Sequence, residues 1–276
     1  MDVTLGPLPL TDVDSFGVRW ILGPAGVVGW GAPGGTLAPV QKVRQRGAWG
    51  GLSYSQARPM TMSGACIAPT EALASDALDR LIDACSLDDT TLTVTKAEAP
   101  RWCTVRRDGA VLPNWVNPMS FDWSIQVVAL DPRKLGAPLT GSTGLPSSSG
   151  GFTFPHTFPF AINSTVVSGQ VNLTNPGNET GPVTLRIDGP VVGPIVTHVG
   201  SGLRLVFSAS LTLGVGEFLT VDMEGHKALA QGQVTRSNWI TKREWSGFEP
   251  GGNTWAFTAA SGTTGQLTVV ATPADQ

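Results

Sequence analysis

The chain has 276 residues, enough for two domains with sizeable cores, and its net charge of −3 gives no electrostatic footprint for nucleic acid. It carries 34 glycines and 21 prolines, while charged residues make up only 14% of the chain, against roughly 25% in a typical globular protein. A hydrophobic content of 41% excludes a disordered chain, and many turns between short apolar runs predict an all-β protein.

The first domain is expected over residues 1–132. Its strands are predicted at residues 16–22, 58–67, 92–95, 102–107 and 121–130. In the last of these, every second side chain from Phe121 to Ala129 is apolar, which is typical of a half-buried strand. Residues 40–46 are interpreted as either a mostly polar strand or an extended arm, which the glycines of residues 47–51 interrupt.

One helix is predicted, and it begins after Thr70. The Thr70 hydroxyl can accept a hydrogen bond from a free backbone N–H, and Glu71 and Asp76 lie near the positive end of the helix dipole. An apolar stripe at helical spacing follows, formed by Leu73, Ala77, Leu78, Leu81, Ile82 and Cys85. We expect this single amphipathic helix to plug or flank a barrel.

Residues 133–151 are expected to be a flexible linker, because they include the run Leu-Pro-Ser-Ser-Ser-Gly-Gly. Residues 152–160 alternate aromatic residues with prolines and fit an extended segment laid across a hydrophobic face. The second domain, residues 152–276, has short alternating strands with turn signals every eight to twelve residues or so, as a β-sandwich requires. Gly189-Pro190 and Gly193-Pro194 are expected to form a corner between two of these strands.

No catalytic, cofactor-binding or metal-binding constellation emerges from the motifs. Three histidines lack metal-ligand spacing: His156, His198 and His226. An odd number of cysteines predicts buried free thiols rather than a disulfide framework: Cys66, Cys85 and Cys103. Three carboxylates raise glycoside hydrolysis, but their places in strand ends and turns favour exposed structural roles: Glu217, Asp222 and Glu224.

Other residue types leave more than one interpretation open. One group of cations is interpreted as a charged edge that blocks stray strand pairing, although it could also pair with an acidic partner surface: Lys42, Arg44 and Arg46. Three further cations could also pair with a partner: Arg101, Arg106 and Arg107. Three N-x-T triplets are interpreted as products of a turn-rich composition: Asn163, Asn172 and Asn178. Most of the nine tryptophans are expected in the core, and the others could stack on a sugar.

The first ten residues lack the basic and apolar regions of a signal peptide, and no apolar run approaches the roughly 18 residues of a membrane span. Synthesis in a cytoplasm is therefore expected, with no membrane anchor.

Four motifs follow one another in the second domain. They are Gly-Pro-Val-Val-Gly-Pro-Ile-Val at 189–196, Leu-Arg-Leu-Val-Phe at 203–207, Gly-Glu-Phe-Leu-Thr-Val-Asp at 216–222 and Glu-Pro-Gly-Gly-Asn-Thr-Trp-Ala-Phe at 249–257. In order and spacing they resemble the C-terminal domain of the distal tail protein (Dit) family of long-tailed siphophages. The run Arg-Pro-Met-Thr-Met-Ser-Gly at 58–64, the helix and a strand ending in Ala-Leu-Asp-Pro at 129–132 resemble the N-terminal domain of that family.

The resemblance implies an all-β fold with one helix, built from an N-terminal split-barrel domain and a C-terminal galectin-like β-sandwich. It implies a structural virion protein made in the host bacterial cytoplasm, with no enzymatic activity and no cofactor. Six copies would form a ring at the tail tip, built by the N-terminal domains, with a central channel for DNA. The ring would join the tail tube protein to the tail-tip hub protein and would contact tape measure and receptor-binding proteins.

Two alternatives remain open at the level of sequence. The first is a β-sandwich adhesin or carbohydrate-binding protein that uses exposed tryptophans among Trp239, Trp245 and Trp255. The second is a polysaccharide-degrading enzyme that uses Glu217 and Asp222.

Overall fold

The computed structural model describes residues 1–97, 99–149, 165–262 and 264–276. They divide into two compact units, Met1–Gly136 with Gln276, and Ala137–Asp275. Strands dominate both units, as the composition predicts. Within the described residues, no helix is both long and apolar enough to cross a membrane.

The described residues of the first unit form one helix and a series of antiparallel strands. Their bounds are β1 (Asp2–Leu5), β2 (Leu8–Pro9), β3 (Arg19–Leu22), β4 (Gly35–Thr36), β5 (Val40–Gln41), β6 (Ala48–Trp49), β7 (Tyr54–Ser55), β8 (Arg58–Ile67), α1 (Glu71–Ala84), β9 (Thr90–Lys96), β10 (Ala99–Arg107), β11 (Leu112–Asn117), β12 (Ser120–Ala129) and β13 (Lys134–Leu135).

The main sheet of this unit curls into a nearly closed barrel. Its strands follow the order β2-β1-β9-β10-β12-β8-β3, with β11 paired to β12 and β13 paired to β10. The two ends of this path meet just after β2, where the Trp20 backbone N–H donates to the Asp12 carbonyl at 2.9 Å and Val13 forms a bridge with Arg19. The barrel and its single helix confirm the fold class expected for this part of the chain.

The longest pair in the barrel is β8 with β12, in register from Ser120 opposite Ile67 to Ala129 opposite Arg58. Both strands lie where the sequence predicts them, to within one residue. The inward side chains of β12 are each at most 2% exposed, as the period-two pattern predicts: Phe121, Trp123, Ile125, Val127 and Ala129.

The strand expected at residues 16–22 begins only at Arg19. The Asp14 carboxylate accepts hydrogen bonds from the backbone N–H groups of Phe16 and Val18, at 2.9 and 3.0 Å, and holds the preceding residues in a turn. Phe16 is consequently 57% exposed instead of occupying a strand.

Helix α1 forms as predicted. The Leu73 backbone N–H donates to the Thr70 side chain at 3.3 Å, which makes Thr70 the N-cap. Ala77 and Leu81 are buried and the helix packs on β2, β8 and β12. Ile82, placed in the apolar stripe by spacing, is 40% exposed and lies at its margin.

In its described residues, the second unit contains strands and a single 3₁₀ turn, Ser237–Trp239. The strand bounds are β14 (Leu139–Gly144), β15 (Ser147–Ser149), β16 (Thr165–Val167), β17 (Gln170–Asn175), β18 (Val183–Asp188), β19 (Val191–His198), β20 (Arg204–Phe207), β21 (Thr212–Leu213), β22 (Phe218–Asp222), β23 (Lys227–Ala230), β24 (Val234–Thr235), β25 (Ile240–Arg243), β26 (Gly251–Ser261), β27 (Gln266–Ala271) and β28 (Ala274–Asp275).

Two antiparallel sheets form a sandwich in this unit. One has the order β14-β27-β18-β22-β23-β24, and the other has the order β17-β26-β19-β20-β25, with β21 paired to β19. Side chains from both sheets, such as Leu185 and Trp255, are fully buried in one core cluster. The sheets approach so closely that a Cβ on Gly141 of β14 would lie 2.6 Å from the Val171 side chain of β17.

The structure corrects two expectations for the middle of the chain, and a third concerns residues outside the described ranges. Residues 133–151, expected to be a linker, instead contain β13, β14 and β15, and β14 pairs along its whole length with β27. The two units divide between Gly136 and Ala137 rather than at residue 132. The aromatic and proline segment at 152–160 lies outside the described residues.

Only the first Gly-Pro pair turns the chain. Gly189-Pro190 lies between β18 and β19, whereas Gly193-Pro194 lies inside β19, where Pro194 is opposite Ala259. Gly193 adopts a positive φ of 54° there and donates its backbone N–H to the Leu211 carbonyl at 2.9 Å. Strand pairing on both sides of β19 thus continues past a dipeptide whose sequence is typical of a turn.

Candidate functional site

One uncovered apolar feature of the first unit is a hairpin, residues 35–55, which we call the arm. Within it β4 pairs only with β7, and β5 pairs only with β6. None of its residues is buried, and its large side chains are 59% to 96% exposed: Leu37, Val40, Val43, Trp49, Leu52 and Tyr54. Of the two interpretations of residues 40–46, the extended arm is therefore the one observed, and residues 47–51 include β6 rather than a break.

The turn of the arm is basic. Lys42, Arg44 and Arg46 lie in or beside it, and residues 35–55 include no carboxylate. Lys42 places its Nζ 4.7 Å from the centre of the Trp49 ring. No carboxylate among the described residues forms an ion pair with these three cations.

Arg58, just after the arm, is a buried cation held by backbone carbonyls. It is 1% exposed, and its Nε and Nη2 donate to the Pro132 carbonyl at 2.9 and 2.7 Å. Its Nη1 donates to the carbonyls of Gly29, Trp30 and Gly31, the loop that leads into the arm. Burial lowers the pKa of the Arg58 guanidinium below its usual value. Arg58 thus ties the start of the arm to the end of β12.

A groove of about 710 Å³ lies between α1 and the segment 7–16, and we call it the helix groove. Its apolar side chains include Leu8, Val13 and Phe16, and Val13 and Phe16 are 50% and 57% exposed. The carboxylates of Asp12 and Asp83 line it without a cationic partner among the described residues. It is therefore an apolar groove with a negatively charged margin.

Asp14 fixes one wall of the helix groove. Its carboxylate accepts from the Trp20 indole at 3.1 Å and from Arg80 of α1 at 2.5 Å. Burial alone would raise the pKa of Asp14, but hydrogen bonds from Trp20, Val18, Phe16 and Arg80 together hold that pKa below its ordinary value. Arg80 in turn stacks on Phe16, with its guanidinium carbon 4.4 Å from the ring centre. The charge of Asp14 is thus already neutralised within the chain.

The second unit has a mixed polar and aromatic cleft of about 340 Å³ beside β21, β22 and β24. Its lining includes the indole of Trp239, the guanidinium of Arg236, the amide of Gln231 and the carboxylate of Glu217. Trp239 and Arg236 are half-buried. An aromatic face beside bidentate hydrogen-bonding groups suits a ligand with a flat apolar side and several hydroxyls.

The histidines considered from the sequence do not come together. His198 is buried, with Nδ1 2.7 Å from the Ser201 hydroxyl and Nε2 3.0 Å from the Asn253 amide oxygen. His226 is exposed and stacks on Trp245 at 4.8 Å between ring centres. His156 lies outside the described residues, and the described part of the chain holds no cluster of three or more potential metal ligands.

The carboxylates considered for hydrolysis stabilise turns at opposite ends of β22. Glu217 accepts from the Gly214 backbone N–H at 2.7 Å. Asp222 accepts from the N–H groups of Glu224 and Gly225 at 3.1 and 2.9 Å. Their separation along the strand and their engagement with backbone groups fit the strand-end interpretation.

All three cysteines are buried free thiols, as predicted. Burial raises the pKa of Cys66 to about 12, of Cys85 to about 11 and of Cys103 to about 12. The thiolate, which is the nucleophile and the metal ligand, is therefore disfavoured at all three positions near neutral pH.

Several other residues singled out in the sequence contact neighbouring side chains of the same chain. Arg106 pairs with Asp89 at 2.6 Å, and the Asn172 side chain accepts from the Thr254 hydroxyl at 2.7 Å. Trp255 is fully buried, while Trp245 is half-buried beneath His226. Of the three tryptophans proposed for sugar stacking, Trp239 alone lines the cleft.

The motifs that carry the family resemblance include residues that hold the backbone in place. Asn253 of the last motif is buried; its amide donates to the carbonyls of Glu249 and Gly251, and its oxygen accepts from the Glu249 N–H. Arg58 plays the comparable role in the first domain.

The helix groove and the cleft have no local signal in the sequence. The residue pattern predicts Phe16 in a strand, and Arg236 belongs to no motif. Apolar residues between closely spaced glycines could have identified the exposed arm.

No protein-family model and no curated protein matches the chain. Solved structures do match. The SPP1 phage Dit protein has a TM-score of 0.64 at 13% identity, and the match covers 96% of this chain and 95% of that one.

Chains of the phage P2 baseplate in its activated conformation, with calcium and with strontium, both have a TM-score of 0.53. Their identities are 10% and 11%; each match covers 98% of this chain, and 97% and 96% of the baseplate chains. Together with the barrel, the single helix and the sandwich, these matches show that the chain has the fold of the phage distal tail protein Dit, as its ordered motifs predict.

Proposed function

We propose that the protein is a structural component of a phage tail tip: a distal tail protein that forms a hexameric ring between the tail tube and the tail-tip hub. One observation carries this proposal. The likeness to SPP1 Dit, a protein described as a paradigm of the hub adsorption apparatus in phages that infect Gram-positive bacteria, extends over 96% of this chain. It includes both units, whereas a common single domain would match only one of them.

The two units would have different tasks in the ring. The split barrel, Met1–Gly136, would build the ring, and the galectin-like sandwich, Ala137–Asp275, would lie outside it. The partners would be the tail tube and tail-tip hub proteins, with tape measure and receptor-binding proteins as further contacts. DNA would pass through the channel with no sequence-specific binding, and a net charge of −3 gives the chain as a whole no electrostatic attraction to the DNA backbone.

The role would be structural and not catalytic. The buried thiols disfavour their reactive form, and Glu217 and Asp222 are engaged with turns. The exposed arm, the helix groove and the cleft are surfaces suited to binding.

The size and shape of the particle test this function. Light scattering of the purified protein should give six times the 28.8-kDa chain mass, and electron microscopy should show a ring with a central opening. In tail particles the ring should lie at the distal end of the tube. A stable monomer at high concentration, together with tails that carry no such ring, would contradict the proposal.

The cleft supports carbohydrate binding by the sandwich as a second candidate function. Its half-buried Trp239 offers an apolar ring, and Arg236 has no side-chain hydrogen bond or ion pair among the described residues. Glu217 and Gln231 add an acceptor and an amide on the same cleft. This combination matches a neutral saccharide better than a charged ligand, because the cleft contains one carboxylate and one guanidinium.

A glycan array with single variants tests the second function. Trp239→Ala should abolish saccharide binding, and Arg236→Gln should weaken it. Trp245→Ala is the matched control, since Trp245 is also half-buried in the sandwich but its ring is covered by His226. Binding lost equally in the control, or absent from the wild type, would remove this candidate.

A further inference from the structure

The arm combines two properties that seldom coexist on a free surface. Its large apolar side chains are exposed, from Leu37 at 59% to Val43 at 96%, and its turn carries three cations without a carboxylate partner among the described residues. Large exposed apolar patches mark interaction sites, and unpaired like charges select an oppositely charged partner.

The helix groove has the complementary properties. It is concave where the arm is extended, and it exposes Val13 and Phe16 to solvent. Its charges are Asp12 and Asp83, while Asp14 is neutralised by Arg80. Helix α1 carries four carboxylates and one cation over its length, so the surroundings of the groove are acidic as well.

We propose that the arm of one copy docks into the helix groove of the next copy, with Lys42, Arg44 and Arg46 facing Asp12 and Asp83. This inference rests on the proposed ring, because it names the contact through which the first units join. Two different surfaces of the same chain meet in such an interface, so each copy contributes its arm to one neighbour and its groove to the other. Repeated head-to-tail contacts of this kind form a closed ring when the rotations between successive copies add up to a full turn.

The arm does not fill the groove of its own chain. Its side chains are exposed, and its two ribbons pair only with each other. A second copy supplies the missing cover for both surfaces at once. A partner that fits only the arm or only the groove would leave the other surface exposed on every copy.

Charge reversal tests the docking directly. One variant reverses the arm, with Lys42→Glu, Arg44→Glu and Arg46→Glu, and the other reverses the groove, with Asp12→Lys and Asp83→Lys. Measured by light scattering and sedimentation at low ionic strength, each variant alone should assemble at least about 100-fold more weakly than the wild type.

Mixing the two variants in equal amounts should restore assembly to within about 10-fold of the wild type, because each reversed arm then meets a reversed groove and each native arm meets a native groove. Restored assembly also shows that both variants are folded. A second variant of exposed side chains, Trp49→Ser with Leu52→Ser, should weaken assembly in the same way without a change of charge.

The outcomes separate this inference from the proposed function. A wild-type ring with unaltered assembly of the arm variants overturns the docking and leaves the ring standing. A monomeric wild type overturns both. Two weakened variants that fail to recover on mixing overturn the pairing of these two surfaces. Wild-type binding to anionic phospholipid vesicles, with assembly unaltered in the variants, would replace the second copy by a membrane surface.

Discussion

Replacing Arg58 by methionine should destabilise the first unit strongly. The side chain is 1% exposed, and it donates to the Pro132 carbonyl from one side and to the loop 29–31 from the other. Methionine has a similar length but no donor. The substitution would therefore leave these carbonyls without their partner and would detach the loop that leads into the arm.

The magnitude follows from the number of acceptors left behind. Each buried acceptor without a partner costs about 1–3 kcal/mol, but water can reach part of the loop, because Gly29 and Gly31 are exposed. Counting Pro132 fully and the loop once gives a gross loss of about 4 kcal/mol. Removing a buried charge returns part of this loss, so the expected decrease in unfolding free energy is about 3 kcal/mol. For a unit of this size, the melting temperature should fall by roughly 6–12 °C.

Urea unfolding followed by tryptophan fluorescence measures this decrease, since Trp20 and Trp123 lie in the same core. Arg58→Lys should recover less than half of the loss, because one ammonium group cannot replace a planar fork that donates in two directions. Arg19→Met, at an exposed position on β3, is the matched control and should change stability by less than about 0.5 kcal/mol. An Arg58→Met protein within 1 kcal/mol of the wild type would refute this account of the buried cation.

Two other features of the fold lead to measurable effects. A Cβ at Gly64 would overlap the Ile21 carbonyl and come 2.7 Å from Cζ2 of Trp123, so Gly64→Ala should lower the free energy of unfolding in urea by about 2–3 kcal/mol. Gly252→Ala is the control and should be nearly neutral, because a Cβ there would meet no atom within 4 Å. Equal effects of the two substitutions would contradict the close approach at Gly64. The thiols of Cys66, Cys85 and Cys103 should resist a thiol-specific reagent until the chain unfolds, and fast labelling of the native protein would argue against their burial. Burial raises the folded-state pKa values of these thiols above the ordinary 9.0. The stability that the thiols contribute should therefore be complete below pH 9.0 and be lost as the pH rises towards about 12. A variant with alanine at all three positions should lose less stability over that pH range.

Short-range patterns were sufficient for several elements. The alternation from Phe121 to Ala129 predicts β12 and its buried face, and Thr70 with the following apolar stripe predicts α1. The motif order in the second domain predicts the fold that the structural likeness to SPP1 Dit shows. In these cases the information lies in spacing and turn chemistry within one segment, which a linear sequence displays.

Other elements depended on partners that lie far away along the chain. Residues 139–144 have the composition of a linker, but pairing with β27 makes them a strand. Arg58 lies 74 residues from Pro132, and Asp14 lies 66 residues from Arg80, so neither the buried cation nor the helix groove has a local signal. Gly193-Pro194 reads as a turn, yet its neighbours on both sides hold it inside β19.

The amino-acid order was thus enough for an all-β chain with one helix, for its inward-facing residues and for its likeness to a phage tail protein, because periodicity, capping and motif order act over a few residues. Tertiary structure alone decided that the barrel closes through residues 12–20, that residues 35–55 lie exposed as an arm and that Asp12 and Asp83 border an apolar groove. The physical reason is that exposure and concavity depend on which distant segments cover a residue and which do not. The residues of the arm could form either a basic strand edge or a docking arm, and their sequence is the same in both cases. Only their uncovered position in the fold makes them available to another chain.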